Sequence, residues 1–114
     1  DGVQRLTSVI ELKPEKEQKY RELHADVWPD VVKTIKRSNI RNYSISLARI
    51  AGRNFLFSYM EYSGDDIEAD FAAVANDATT RDKWWPITDA CQSVIEGTPA
   101  GEQWMPLERL MLIP

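Results

Sequence analysis

Apolar positions follow two different periods along this chain, and the alternation between them outlines its elements. The stretch from Val3 to Leu12 is rich in β-formers, with Leu6, Val9, Ile10 and Leu12, and predicts a first strand. Lys13-Pro14-Glu15 then opens a helix, with proline in the first turn and an acid beside it. Tyr20, Leu23, His24, Val27 and Trp28 recur at helical spacing and form one continuous face. Pro29 interrupts that pattern, because proline removes a helical donor and biases its predecessor away from helix. A second short helix is predicted from Pro29 to Arg37, buried through Val31, Val32 and Ile35 and ended by Ser38-Asn39.

The period then changes to two. From Ile40 to Ile50, Tyr43, Ile45 and Leu47 alternate with Asn42, Ser44, Ser46 and Ala48, which predicts a second strand. Ala51-Gly52-Arg53 is a turn, and Asn54 to Tyr62 a third strand, so the two should form a hairpin. Asp65, three residues before Glu68, resembles a capping box for a helix reaching about Asn76. Thr79-Thr80 starts another helix, broken at Trp85-Pro86 and resumed through about Ile95. Residues 97–101 form a loop, and Gln103 to Ile113 reads as the last strand, with Pro106 pushing it toward an edge or a bulge.

The order β-α-β-β-α-β predicts an α+β, ferredoxin-like fold: an antiparallel sheet with helices on one face, in a single domain over residues 1–114. The third and fourth strands hold large apolar residues on both faces, Phe57 against Met60 and Leu110 against Met111. Helices cover one face only, so the other should line a cavity or meet a second subunit. A homodimer packed through its sheets is therefore expected.

Composition narrows the function by exclusion. Against 18 acidic residues stand 14 basic ones, net −4 and interspersed, so no basic footprint for nucleic acid is visible. No apolar run approaches the ~20 residues of a membrane span, and the first residues do not form a signal peptide, so a cytoplasmic protein is expected. A single cysteine, Cys91, and a single histidine, His24, offer no metal-ligand cluster. Neither a glycine-rich phosphate loop nor a GxSxG elbow is present.

Three features remain as candidate chemistry. Tyr20 and His24 lie four apart on one helix face. Imidazole, with an ordinary pKa of ~6.5, both gives and takes protons near neutrality. Judged alone, such a histidine is more often a satisfied core residue. Adjacent indoles at Trp84-Trp85 diverge on a helix, so one can pack inside while the other faces a pocket. An indole face suits the apolar side of a sugar ring; two core residues near a helix break would look the same. Tyr43 could point its hydroxyl into a sheet-lined cavity, or serve as a cross-strand aromatic.

These pieces resemble a known family. Tyr20 through Pro29 resembles the Y-x-x-x-H-x-x-x-W-P signature of the L-rhamnose mutarotases. Asn42-Tyr43 falls at the matching distance, Trp84-Trp85 matches the paired tryptophans, and Leu107-Glu108 with Leu112-Ile113-Pro114 resembles the closing strand. The resemblance covers nearly the whole chain. It implies a dimeric α/β-barrel, a substrate cavity on the sheet, and no metal or organic cofactor. Carried over by position, His24 is implied as the catalytic proton donor, and Tyr20, Tyr43, Trp84 and Trp85 as substrate-contacting residues. The implied activity interconverts the α and β anomers of L-rhamnose by opening and reclosing the pyranose. Pro86-Ile87, Arg49 to Arg53 and Trp104-Met105-Pro106 depart from the family pattern, which keeps L-fucose as an alternative substrate. The element order also fits a dimeric α/β-barrel monooxygenase or a non-catalytic sugar-binding module, because fold does not fix function.

Overall fold

A computed structural model describes residues 2–114. Strand β1 (Gln4–Leu12) leads through a 3-10 turn (Pro14–Lys16) into α1 (Glu17–Ala25) and α2 (Pro29–Arg37). Strands β2 (Ile40–Ile50) and β3 (Arg53–Tyr62) follow, then α3 (Ile67–Asn76), a π-helical turn (Thr80–Trp84), α4 (Trp85–Ala90), and two short strands, β4 (Gln92–Ser93) and β5 (Met105–Pro106). All pairings are antiparallel, in the order β2-β3-β1-β4, with β5 also on β1. The result is an α+β fold built on a curled antiparallel sheet.

The β2–β3 hairpin closes on Ala51 and Gly52, both with left-handed φ (52° and 76°), as a two-residue turn requires. Period-two alternation sorts the central strands. Ile10 and Leu12 of β1 share a face with Leu56 and Tyr62 of β3. Tyr20 from α1 and Cys91 after α4 join Ile10, Leu12 and Leu56 in one buried cluster. On the same face the Tyr62 ring meets Phe71 of α3 edge-on, 6.0 Å between centroids. The Tyr62 hydroxyl donates to Asp70, and Asn39 Nδ2 donates to the same carboxylate at 3.0 Å. Burial and that acceptor push the Tyr62 phenol up to about 12, so it stays a donor that ties α3 to the sheet. The opposite face carries Phe55 and Phe57, only half-buried.

Three expectations are corrected. The α3 cap is Asp66, one residue later than the capping box implied: its carboxylate accepts from the Ala69 amide at 3.1 Å. The helix expected to run to Ile95 stops at Ala90, because Gln92 and Ser93 pair with Leu12 and Glu11 at the edge of β1. The last strand, expected over Gln103 to Ile113, shrinks to Met105–Pro106. Pro106 lacks the amide a longer ladder needs, and beyond the Leu107 amide's bond to the Thr7 carbonyl (2.9 Å) the tail lies exposed. Among the described residues no helix is long and apolar enough to cross a membrane.

Candidate active site

The site is assembled by three interruptions of regular structure. First, Pro29 ends the α1 face and starts α2, so Trp28 sits in the corner between them with extended backbone (ψ 132°). Second, Pro86 lies just inside α4. In a continuous α-helix its ring would crowd the carbonyl of Asp82. The chain instead widens into a π-turn, with the Trp85 amide bonded to the Thr80 carbonyl. Asp77 stabilises the start of that turn by accepting from the Thr80 amide (3.0 Å) and hydroxyl (2.9 Å). Third, β2 is irregular between Arg41 and Ser44, where Asn42 adopts a left-handed φ of 49°.

Between α1, α2, β2 and the π-turn lies a cavity of about 560 Å³, lined by His24, Asn42, Tyr43, Trp84 and the apolar side chains of α2. That is within the ~300–1,000 Å³ usual for small-molecule sites. A second cavity of about 300 Å³ adjoins it and shares Val31, Ile35, Ile40, Tyr43 and Trp84. Trp84 is 6% exposed and forms part of both walls; Trp85 is 37% exposed and lines only the smaller. The two indoles therefore diverge, as adjacent helical positions should.

His24 is held by its own helix. Its Nδ1 lies 2.8 Å from the Tyr20 carbonyl oxygen. A carbonyl only accepts, so Nδ1 carries the proton and Nε2 keeps its lone pair. The imidazole stacks on the Tyr20 ring (4.0 Å between centroids, 31°) and lies 5.4 Å from the Trp84 ring, which meets Trp28 edge-on at 5.0 Å. Tyr20 itself is buried in the core and does not line the larger cavity; its hydroxyl accepts from Gln92 Nε2 at 3.2 Å. Thus His24, Tyr43 and Trp84 meet at one cavity, Trp85 reaches the adjoining one, and Tyr20 stands behind His24. Sequence reasoning missed Ile40 and the α2 side chains as walls, and Trp28 as the ring that backs Trp84. The signal for Trp28 was present in the signature, at the position before proline.

Electrostatics follow from enclosure. Burial pushes the His24 imidazole below its ordinary value, against the opposing pull of the Tyr20 carbonyl. Burial raises Tyr20, and partial enclosure raises Tyr43, which stays 40% exposed; both phenols are protonated near neutrality. No carboxylate of the described residues lines either cavity. Proton transfer there falls to His24, the Tyr43 phenol, Lys36 at the wall, or water. Because neutral His24 is favoured by folding, its contribution to stability is present above pH ~6.5 and is lost as pH falls through the lower folded value. An exchange reaction that needs the Nε2 lone pair should have its acid limb below pH ~6.5. A pH–rate profile with its acid midpoint at or above that value would contradict the assignment.

The comparisons with known proteins now bear on this geometry. A family model described as L-rhamnose mutarotase matches residues 5–111. The chain belongs to the L-rhamnose mutarotase family. The L-rhamnose mutarotase of Shigella flexneri is 25% identical over 111 residues, covering 96% of this chain and 98% of that one. The Clostridium beijerinckii protein of the same name is 34% identical over 70 residues, 61% of this chain and 62% of its own. A crystal structure of L-rhamnose mutarotase from Formosa agariphila superposes with a TM-score of 0.71 at 26% identity, covering 97% of this chain and 99% of that one.

Proposed function

We propose that the larger cavity is where a pyranose is opened and reclosed, with His24 moving the proton at the ring oxygen. Family membership makes the chain a sugar mutarotase, an isomerase acting on L-rhamnose-like substrates. The observation that carries the site assignment is His24, neutral, fixed through Nδ1, with Nε2 left for chemistry at an aromatic wall.

Opening moves one proton from the anomeric hydroxyl to the ring oxygen. Neutral His24 receives it first: the Tyr43 phenol, directly or through one water, takes the anomeric proton as it passes its own to Nε2, and the imidazolium so formed gives that proton to the ring oxygen as the C1–O5 bond breaks. In closure Nε2 takes the proton of the C5 hydroxyl as its oxygen attacks the aldehyde carbon, and the same relay returns a proton to the anomeric oxygen, leaving His24 neutral and Tyr43 a phenol again. Rotation about C1–C2 between opening and closure exposes the other aldehyde face and inverts the anomer. Tyr20 supports His24 through its carbonyl and ring. Trp84 supplies the flat apolar wall for the sugar, and the smaller apolar cavity beside it suits the C6 methyl of a 6-deoxy-L-sugar such as L-rhamnose.

The test is NMR saturation transfer between α and β anomeric protons, with L-rhamnose, L-fucose and D-glucose in parallel. Enzyme-dependent transfer with L-rhamnose is expected. Transfer with L-fucose alone would change the substrate and keep the mechanism. No transfer with any sugar, from folded protein, would overturn the reading.

The reading includes a homodimer, closing the curled sheets into an α/β-barrel pair. Its support is the exposed apolar surface: Leu110 and Ile113 are 87% and 78% exposed, and Phe55 and Phe57 lie on the face that no helix covers. Light scattering at micromolar concentration should give twice the mass of 13.1 kDa. Leu110→Asp with Ile113→Asp should shift the protein toward monomer. A wild-type monomer would refute the dimer.

A further inference from the structure

We infer that Asn42 is a positioning residue, whose left-handed bulge in β2 turns Tyr43 into the cavity. The inference rests on the site reading above and adds a residue to it.

The pairing of β2 with β3 runs Ile40 with Tyr62 and Arg41 with Glu61, then resumes at Ser44 with Tyr59. Asn42 and Tyr43 therefore stand together opposite a single residue, Met60. One extra residue changes the phase of the strand. Before the bulge an even position, Ile40, shares the helix-covered face with Tyr62; after it the odd positions Ile45 and Leu47 share that face with Ser58 and Leu56. In a regular strand Ile40 and Tyr43, three apart, would point to opposite faces. Here both line the two cavities.

The bulge depends on the left-handed conformation of Asn42 (φ 49°), which asparagine tolerates and β-branched residues do not. Asn42 borders the larger cavity, and its side chain is anchored to β3. Nδ2 donates to Glu61 Oε1 at 2.9 Å, and the other Glu61 oxygen accepts from the Tyr59 hydroxyl at 2.5 Å. Hydrogen bonds from Tyr59 and, second to it, Asn42 hold the Glu61 carboxyl below its usual range, so the anchor is ionised at neutral pH. The side chain of Asn42 thus fixes the backbone, and the backbone aims Tyr43.

Three variants test this. Asn42→Val should lower kcat/KM for anomer exchange about tenfold, the penalty of forcing a β-branched residue into the left-handed region. Asn42→Gly, which adopts that region freely but lacks the Glu61 bond, should recover exchange to within about threefold of wild type. In a Tyr43→Ala background, Asn42→Val should change the remaining exchange by less than about twofold, because its effect passes through Tyr43. Nuclear Overhauser contacts that the wild-type Tyr43 ring makes with methyls of the cavity walls should persist in Asn42→Gly and vanish in Asn42→Val. That readout needs no sugar. It judges the bulge even if exchange by the wild type fails and takes the functional reading with it. Asn42→Val retaining those contacts, or an undiminished loss of exchange in the Tyr43→Ala background, would overturn the inference.

Discussion

Replacing His24 with glutamine is expected to slow anomer exchange by about 10²–10⁴-fold, the usual worth of a positioned acid–base group. Glutamine keeps the length and a donor for the Tyr20 carbonyl but cannot carry a proton between two sites. The expectation is this large because, among the described residues, no carboxylate lines the cavity to take over. Binding should change much less, since the apolar wall of α2 and Trp84 is untouched. The loss should therefore appear in kcat with KM nearly constant, the pattern of an interaction made only in the transition state. Circular dichroism must show the variant folded. Exchange within about threefold of wild type would remove His24 from the reaction and leave the Tyr43 phenol or Lys36 as the proton carrier.

Much of this site is legible in the sequence. Tyr20 and His24 at helical spacing had to share a face, and they stack at 4.0 Å. What spacing could not say is which of them faces the cavity. Tyr20 turns inward because Gln92, two residues beyond α4, offers a donor to its hydroxyl across 72 positions of sequence. A contact that distant in sequence leaves no local mark. The divergence of Trp84 and Trp85 was readable from the helical turn angle, whereas the π-turn that seats Trp84 was not. Its cue was Pro86, which announces a disturbance without saying whether the chain breaks or widens.

The fold divides in the same way. β2 came out as Ile40–Ile50, and α2 as Pro29–Arg37, because each has a strong period and a chemical stop. Pro29 starts α2, and Asn39, left-handed at φ 66°, ends it. The bulge was hidden inside a strand whose alternation looked regular, since Tyr43, Ile45 and Leu47 are in phase with one another. The only trace is Ile40, apolar and out of phase with them. The C-terminal segment was misread for a different reason. Leu110, Met111 and Ile113 have strand composition but take no strand partner among the described residues, and β-propensity reports the fit to a neighbouring surface more than a backbone preference.

The largest stability effect should come from Trp84→Ala, at about 3–5 kcal/mol, the range for deleting a buried tryptophan. The indole is 6% exposed, meets Trp28 edge-on at 5.0 Å, lies against His24, and lines both cavities. Removing it would merge those cavities, and the part of the void that α1, α2 and the π-turn do not fill by moving inward sets the cost. Trp85→Ala provides the comparison: at 37% exposure it should cost well under half as much. Urea unfolding at fixed protein concentration checks both, the fixed concentration being required if subunits associate. Function should rank the same way. With Trp84 gone the imidazole loses the ring beside it, so both sugar binding and the orientation of Nε2 should suffer, raising KM and lowering kcat together. A Trp84→Ala protein within about 1 kcal/mol of wild type would show that the site collapses around the missing indole, and that Trp84 is not a rigid wall of it.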